Sequence, residues 1–381
     1  MAYSIYQKEN NMASRIGILT AGNDVPGLNA AIRSIGKTAK DSNIEVIGFQ
    51  DGFTGLIEDR SVQFLGTELS GILTLGGTLL GTSQELPSND KDTSVFIDLA
   101  CKIYKKHKLD GLVILGGAMM QIGALLLSDA GLNVISLPKS ISNDLYGTDF
   151  TIGFDTALSV ASEAIDRLHS TAHSHHRIII VEILGRYSGW LTLGAGIAGG
   201  ADVILIPEIP YSMKNVANAI QERNKAGKKF SIVAASEGAI TQENVNFFKR
   251  NKQTNDRIRK GEEREFIQAR LQMIENQYSD NTNLLSHRLK DYTGLDTPVT
   301  ILGYLLRGGV PSAMDRLRAT QLGTISVELI KKGKSGFMLG YHGNEIMEVP
   351  LRHVAGLHNL VPLNHSWISC AKKVGTCFGD G

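Results

Sequence analysis

The chain has 381 residues, 42% of them hydrophobic and 41 of them glycine, with a formal charge of +1. So even a balance excludes a protein built around a basic nucleic-acid surface, and the length suits one large or two medium globular domains. Cys101, Cys370 and Cys377 lack C-x-x-C spacing, which argues against a disulfide framework and a zinc site and fits a reducing compartment. The opening MAYSIYQKENNMAS has no apolar core, and no run approaches the ~20 apolar residues of a bilayer span. A cytoplasmic protein with no membrane or nucleic-acid partner is therefore expected.

In chain order, β-branched runs predict strands at Ile16–Leu19, Leu112–Leu115, Val134–Leu137, Ile178–Val181, Val203–Ile206, Ile232–Ala235 and Val299–Leu302, each beside Gly, Pro or polar turn residues. Helical patterns lie between them, and this alternation implies parallel sheets with helices on both faces. Leu28, Ala31, Ile32 and Ile35 fall at i, i+3, i+4 and i+7, giving an apolar helix face behind the loop Gly22-Asn23-Asp24-Val25-Pro26-Gly27. Gly116-Gly117 ends the buried run that starts at Gly111, where a following helix normally offers its N–H groups to a phosphate. Ala118, Met119 and Met120 come next, in place of the usual small or polar residues. His169 and His173 share a helix face within LHSTAHSHHR, a spacing metal ligands use. No carboxylate or cysteine completes the set, so no metal is expected there. Residues 240–292 are polar, charged and helix-forming, which reads as a solvated helical excursion between two strands or else a subunit contact.

Taken in order, TAGNDVPGLNAAIR, LGGAMM, LPKSISNDLYGTD, FDTA, HHRIIIVEILGRYSGWLTLGAGIAGGAD, ASEGA and LGYLLRGGVPSAMDR resemble the successive motifs of the phosphofructokinase family over nearly the whole chain. The lysine of PKSISND and the ending FGDG look more like the pyrophosphate-dependent branch. The resemblance implies two similar three-layer α/β/α domains with the active-site cleft between them. It divides the chain into an N-terminal extension (1–14), a donor-side domain (15–150), a sugar-phosphate-side domain (151–330) that includes 240–292, and a C-terminal segment (331–381) returning to the first domain. It also implies a dimer or tetramer whose neighbours complete the sugar site.

Phosphoryl transfer to the 1-hydroxyl of fructose 6-phosphate needs an in-line donor, magnesium on its oxygens and a carboxylate for the attacking hydroxyl. By resemblance Gly22, Gly116 and Gly117 keep the donor-phosphate loop, but Asn23 interrupts its first glycine motif and Ala118 stands where the family has its magnesium aspartate. Met119 and Met120 are thioethers, poor ligands for a hard cation. They are expected to plug the donor pocket, buried against the loops around Asn23 and Ser140. Ser142 occupies the place of the catalytic aspartate, and a hydroxyl is no base without another to activate it. Asp144, two residues on, is a possible substitute. Gln84 replaces an arginine facing the donor phosphates, and Pro298 one that reaches the 6-phosphate from a neighbouring subunit.

The same resemblance sets Ser140, Arg177, Gly185, Arg186, Glu237, Tyr304 and Arg307 at sugar-phosphate positions, Tyr304 standing where histidine is usual. Residue chemistry leaves alternatives: ion pairs for Arg177 and Arg186, a surface carboxylate for Glu237, and either a phosphate or solvent for Lys139. The resulting expectation is a homologue without catalysis, serving as a regulatory or structural subunit that binds a sugar phosphate weakly. It would act as a self-oligomer or beside an active paralogue. No cofactor is expected, with magnesium only if activity remains. The alternatives are an active 6-phosphofructokinase with a rearranged base, using ATP or pyrophosphate, and a stand-alone sugar-phosphate or nucleotide sensor.

Overall fold

The computed structural model describes residues 15–87, 89–244 and 281–380, with Asp90 described by its backbone alone. The expected N-terminal extension, 1–14, lies outside the described residues. The strands are β1 (Arg15–Ala21), β2 (Glu45–Phe49), β3 (Ser61–Phe64), β4 (Gly111–Gly116), β5 (Val134–Pro138), β6 (Ile178–Ile183), β7 (Val203–Leu205), β8 (Ser231–Ser236), β9 (Val299–Ile301), β10 (Phe337–His342) and β11 (Glu345–Pro350). The helices are α1 (Leu28–Asp41), α2 (Gly52–Ile57), α3 (Asp90–Lys106), α4 (Met120–Asp129), α5 (Phe154–His175), α6 (Trp190–Ala198), α7 (Met213–Lys225), α8 (Asn281–Thr293), α9 (Ala313–Lys331) and α10 (Ser366–Lys373). All seven predicted strands are present. Two compact units divide the described residues, 15–87, 89–140, 145–153 and 308–357 forming the first and 141–144, 154–244, 281–307 and 358–380 the second.

The first unit holds a sheet of order β11-β10-β5-β4-β1-β2-β3. Its inner strands are parallel, and every residue of β4 and β5 is buried, as strands covered on both faces require. The edge strands β3 and β11 run antiparallel to their neighbours, so the sheet is mixed where a parallel one was expected. Leu28, Ala31, Ile32 and Ile35 of α1 are fully buried, as their spacing predicts. α1 packs on α9: Ser34 Oγ lies 3.3 Å from Ala319 O, and a Cβ added at Gly323 would stand 2.0 Å from Ser34 Oγ. Only glycine permits that approach.

The second unit holds a wholly parallel sheet of order β7-β8-β6-β9. One of its cores joins β6, β7 and β8 to Met213, Val216, Ala217 and Ile220 of α7 and to Leu285 and Leu289 of α8. Of the charged stretch expected as a solvated excursion, 245–280 lies outside the described residues, while α8 contributes a buried apolar face.

The unit boundaries differ from those expected. The chain rejoins the first unit at 308, because α9 packs on α1, and leaves it again after 357. Residues 358–380 belong to the second unit because backbone bonds from Ile204 N to Cys377 O (2.9 Å), Cys377 N to Asp202 O (2.9 Å) and Ser212 N to Gly379 O (2.8 Å) tie them to β7 and the start of α7. Among the described residues no helix is long and apolar enough to cross a membrane, and the three cysteines are unpaired.

The α1–α9 contact gives a stability test. Gly323→Ala should cost about 1–3 kcal/mol, the usual penalty of an overpacked contact, and Ser34→Ala beside it should restore part of the loss. Urea unfolding reads both, and an unchanged midpoint in Gly323→Ala would show that the helices are not in close contact.

Candidate active site

Ala21 of β1 pairs in register with Gly116 of β4, and Gly116 with Pro138 of β5, so three loops leave one edge of the first unit's sheet side by side. That edge is the carboxyl end of parallel strands, where open α/β sheets bind ligands. The first loop turns at Gly22, φ +85°. Its backbone is held by a bond from Gly22 N to Ser83 O (2.7 Å) and by Thr82 Oγ1, which donates to Gly22 O. The Asn23 amide oxygen accepts from Gln84 Nε2 at 2.5 Å, and the Asn23 carbonyl accepts from Lys139 Nζ. Gln84 thus braces the loop from an exposed position, and Lys139, rather than facing solvent, is almost fully buried against it. Asn29 secures the adjoining segment, its side chain donating to Leu75 O (3.2 Å) and Gly76 O (3.1 Å) and accepting from Leu79 N (2.7 Å).

The second loop, Gly117–Met119, opens into α4. Met120 is only 6% exposed and belongs to the core with Phe53, Leu56 and Ala124. A Cβ built on Gly22 would stand 3.0 Å from Met120 Cγ, so the thioether forms the floor beneath the first loop. Met119 is half-buried beside the same core, and Ala118 is buried with its carbonyl accepting from Gly356 N at 3.2 Å. Methionine suits this place, since an unbranched polarizable chain fills irregular space with little strain.

The third loop crosses from the first unit to the second within LPKSISND. Pro138 to Ser140 pair with Thr151 and Ile152 through Ile152 N to Pro138 O (3.0 Å), Ser140 N to Ile152 O (3.1 Å) and Thr151 Oγ1 to Ser140 O (2.6 Å). Asn143 then takes a left-handed turn, φ +52°, which asparagine tolerates better than most residues, and this redirects the chain between Ser142 and Asp144. Asp144, 19% exposed on its side chain, has Oδ2 3.6 Å from His358 Nδ1.

In the second unit β6 and β8 are also in register at their carboxyl ends, Ile183 opposite Ser236. Ser236 Oγ donates to Gly185 O at 2.5 Å, and a Cβ added at Gly238 would stand 2.1 Å from Arg186 O. This approach brings Arg186 Nε to 4.0 Å from Glu237 Oε1. Burial pushes the Glu237 carboxyl above its usual range, opposed by the positive charges of Arg186 and Arg307. Glu237 is therefore a half-buried acidic group beside Arg186. Tyr304 is exposed on the short 3-10 helix Gly303–Arg307. Arg177 is not brought to this group: it precedes the amino end of β6, ~20 Å from the carboxyl end at ~3.3 Å per residue, and pairs with Asp296 at 3.4 Å. Pro298 sits just before edge strand β9, a place where its missing N–H costs no ladder bond.

The described residues contain no group of three His, Cys, Asp or Glu able to hold a metal. His169 Nε2 donates to Gly199 O at 2.6 Å, and His173 packs edge-on against Phe230, so both have structural partners.

Residues 15–330 match the family model described as Phosphofructokinase. The chain belongs to the phosphofructokinase family. A curated relative, the ATP-dependent 6-phosphofructokinase of Propionibacterium freudenreichii subsp. shermanii, is 49% identical over 376 residues, 97% of this chain and 100% of that protein. Among solved structures, phosphofructokinase from Saccharomyces cerevisiae superposes with a TM-score of 0.73 at 27% identity, covering 95% of this chain and 46% of that one, so this chain spans about half the yeast chain's length. A pyrophosphate-dependent phosphofructokinase from Marinobacter aquaeolei shares the fold, with a TM-score of 0.74 at 20% identity over 96% of this chain and 92% of that chain.

These findings overturn the expectation of a family member without catalysis. A relative about half identical along its entire length is an ATP-dependent 6-phosphofructokinase. The pyrophosphate leaning is not upheld either, since the pyrophosphate-dependent likeness is one of fold at 20% identity. Met120 is a core residue below the first loop, and Lys139 supplies buried positive charge beside it. Sequence reasoning also missed Asn29, His358 and Glu208. Burial raises the Glu208 carboxyl, whose oxygens accept from Gly189 N (3.0 and 3.1 Å) and Val361 N (2.9 Å). Asn29 stood within a quoted motif; the other two carried no motif signal.

Two methionine variants separate core from plug. Met120→Ala should cost about 2–5 kcal/mol, the range for emptying a buried site, and Met119→Ala, half-buried, well under half of that. Equal losses on chemical denaturation would show that the pair acts as one unit facing the loop.

Proposed function

We propose that this chain is an ATP-dependent 6-phosphofructokinase, transferring the terminal phosphoryl group of ATP to the 1-hydroxyl of fructose 6-phosphate. The observation that carries the reading is the 49% identity, over 97% of the chain, to an enzyme of that name. The hydroxyl oxygen attacks the terminal phosphorus, the bond to the bridging oxygen of ADP breaks, and the hydroxyl proton passes to a carboxylate. Asp144 is that carboxylate, since Ser142 has no acidic group and Asp144 lies on the same loop beyond the turn at Asn143.

On the donor side the buried ammonium of Lys139, held at the Gly22 loop, favours phosphate oxygens, as does the start of α4 directly after β4. On the sugar side Arg307 offers a planar fork for two oxygens of the 6-phosphate, and Glu237 with Arg186 orients the sugar. Positions 116 to 120 supply no carboxylate, and the described residues hold no group of three His, Cys, Asp or Glu able to hold a metal. Magnesium would arrive on the ATP phosphates, as it commonly does in kinases. Arg177, far from Arg186 along β6, serves a neighbouring copy, and exposed Ile301, Tyr304 and Leu305 support a dimer or tetramer of this chain. A cytoplasmic location belongs to the same reading.

A steady-state assay of the purified chain tests it. With ATP, magnesium and fructose 6-phosphate, turnover of about 1–100 s⁻¹ is expected, the usual range for kinases, with none from pyrophosphate. Arg307→Ala should raise KM for the sugar by about tenfold or more, equivalent to ~1.4 kcal/mol of lost binding. Absence of turnover with ATP, or turnover confined to pyrophosphate, overturns the assignment.

A further inference from the structure

We infer that His358 is a positioning residue for Asp144, an inference that rests on the base role given to Asp144 above. The ring is mostly enclosed, its side chain 16% exposed, and both Nδ1 and Nε2 are buried without a hydrogen-bond partner among the described residues. Buried polar atoms are nearly always partnered, and each exception calls for an explanation. The acidic group beside this one is the Asp144 carboxylate, with Oδ2 3.6 Å from Nδ1, slightly beyond direct bonding distance.

Further contacts of His358 and of its neighbour Asn359 fix this segment beside the loop it would serve. Its ring lies against that of Tyr187, with centroids 4.7 Å apart. The next residue, Asn359, donates from its backbone N to Asp144 O at 2.8 Å and from Nδ2 to Asn143 O at 3.3 Å. Its own carbonyl accepts from Ser188 Oγ (2.9 Å) and Trp190 Nε1 (3.1 Å). The backbone of His358 is thereby clamped between the Asp144 loop and the segment that opens α6. All of these residues lie in the second unit.

The chemistry follows from geometry. A carboxylate rotates about its terminal bond, and a general base must hold one oxygen within hydrogen-bond reach of the hydroxyl it deprotonates. An imidazole N–H engaging Oδ2 would oppose that rotation and help set the direction in which the carboxylate meets the sugar hydroxyl. The proton taken from the hydroxyl stays on Asp144, and His358 changes no bond. Its contribution is to kcat, since the sugar is held by other groups.

The test pairs two substitutions that divide the ring's properties. His358→Phe keeps an aromatic face against Tyr187 but removes the N–H, whereas His358→Asn loses the ring and places an amide N–H near the position of Nδ1. If His358 positions Asp144, His358→Phe loses kcat by up to roughly 10²-fold, the cost of a misplacement of about 1 Å, with KM for fructose 6-phosphate little changed. His358→Asn recovers most of the rate despite a lower melting temperature. Added to Asp144→Asn, His358→Phe should cause no further loss, because residues acting as one unit do not add. Wild-type kcat in His358→Phe, or a further fall in the double variant, overturns the inference while leaving the activity intact. Absence of turnover in the unmodified chain removes the activity itself, and the inference with it.

Discussion

In-register parallel pairing of β1, β4 and β5 is the constraint on which the three loops at the edge of the first unit's sheet depend. Because Ala21, Gly116 and Pro138 are aligned across three strands, the loops that follow begin at the same height, whatever side chains they carry. Backbone pairing is indifferent to whether position 118 is aspartate or alanine. The loops then brace each other through polar contacts from Gln84 and Lys139 to Asn23, while Met120 fills the space below.

The second unit applies the same rule with a different instrument. Ile183 and Ser236 are level in β6 and β8, and glycine at 238 lets the two following turns approach until Arg186 and Glu237 become neighbours. Burial raises the Glu237 carboxyl above its usual range, and the positive charge of Arg186 beside it is the main opposing influence. The segment at 358–361 is tied into this unit by Asn359 and by the Glu208 carboxylate, which accepts from backbone N–H groups of Gly189 and Val361.

The inner strands were legible because a strand buried on both faces must be a continuous apolar run, and Ile178–Val181 or Leu112–Leu115 can be little else. The β10–β11 hairpin was missed, although Gly343-Asn344 between two alternating runs marks such a turn. The unit bounds rest on contacts that no local pattern shows, since the Gly323–Ser34 approach and the backbone bonds of Cys377 and Gly379 join residues far apart in the chain. At the site, the glycines and the 138–144 loop were readable from their motifs, but their consequence was misjudged. Ala118, Met119 and Ser142 look like losses when judged singly, and nothing in the sequence reveals that Asn143 turns the loop or that Asp144 lies beside His358.

Under the proposed function, Asp144 provides the carboxylate that Ser142 lacks. Comparing kcat with ATP for Asp144→Asn and Ser142→Ala tests it most directly. The account predicts a loss of about 10²–10⁴-fold in Asp144→Asn, the usual contribution of a general base, and less than about tenfold in Ser142→Ala. Near-normal turnover in Asp144→Asn, or the larger loss falling on Ser142→Ala, would contradict it.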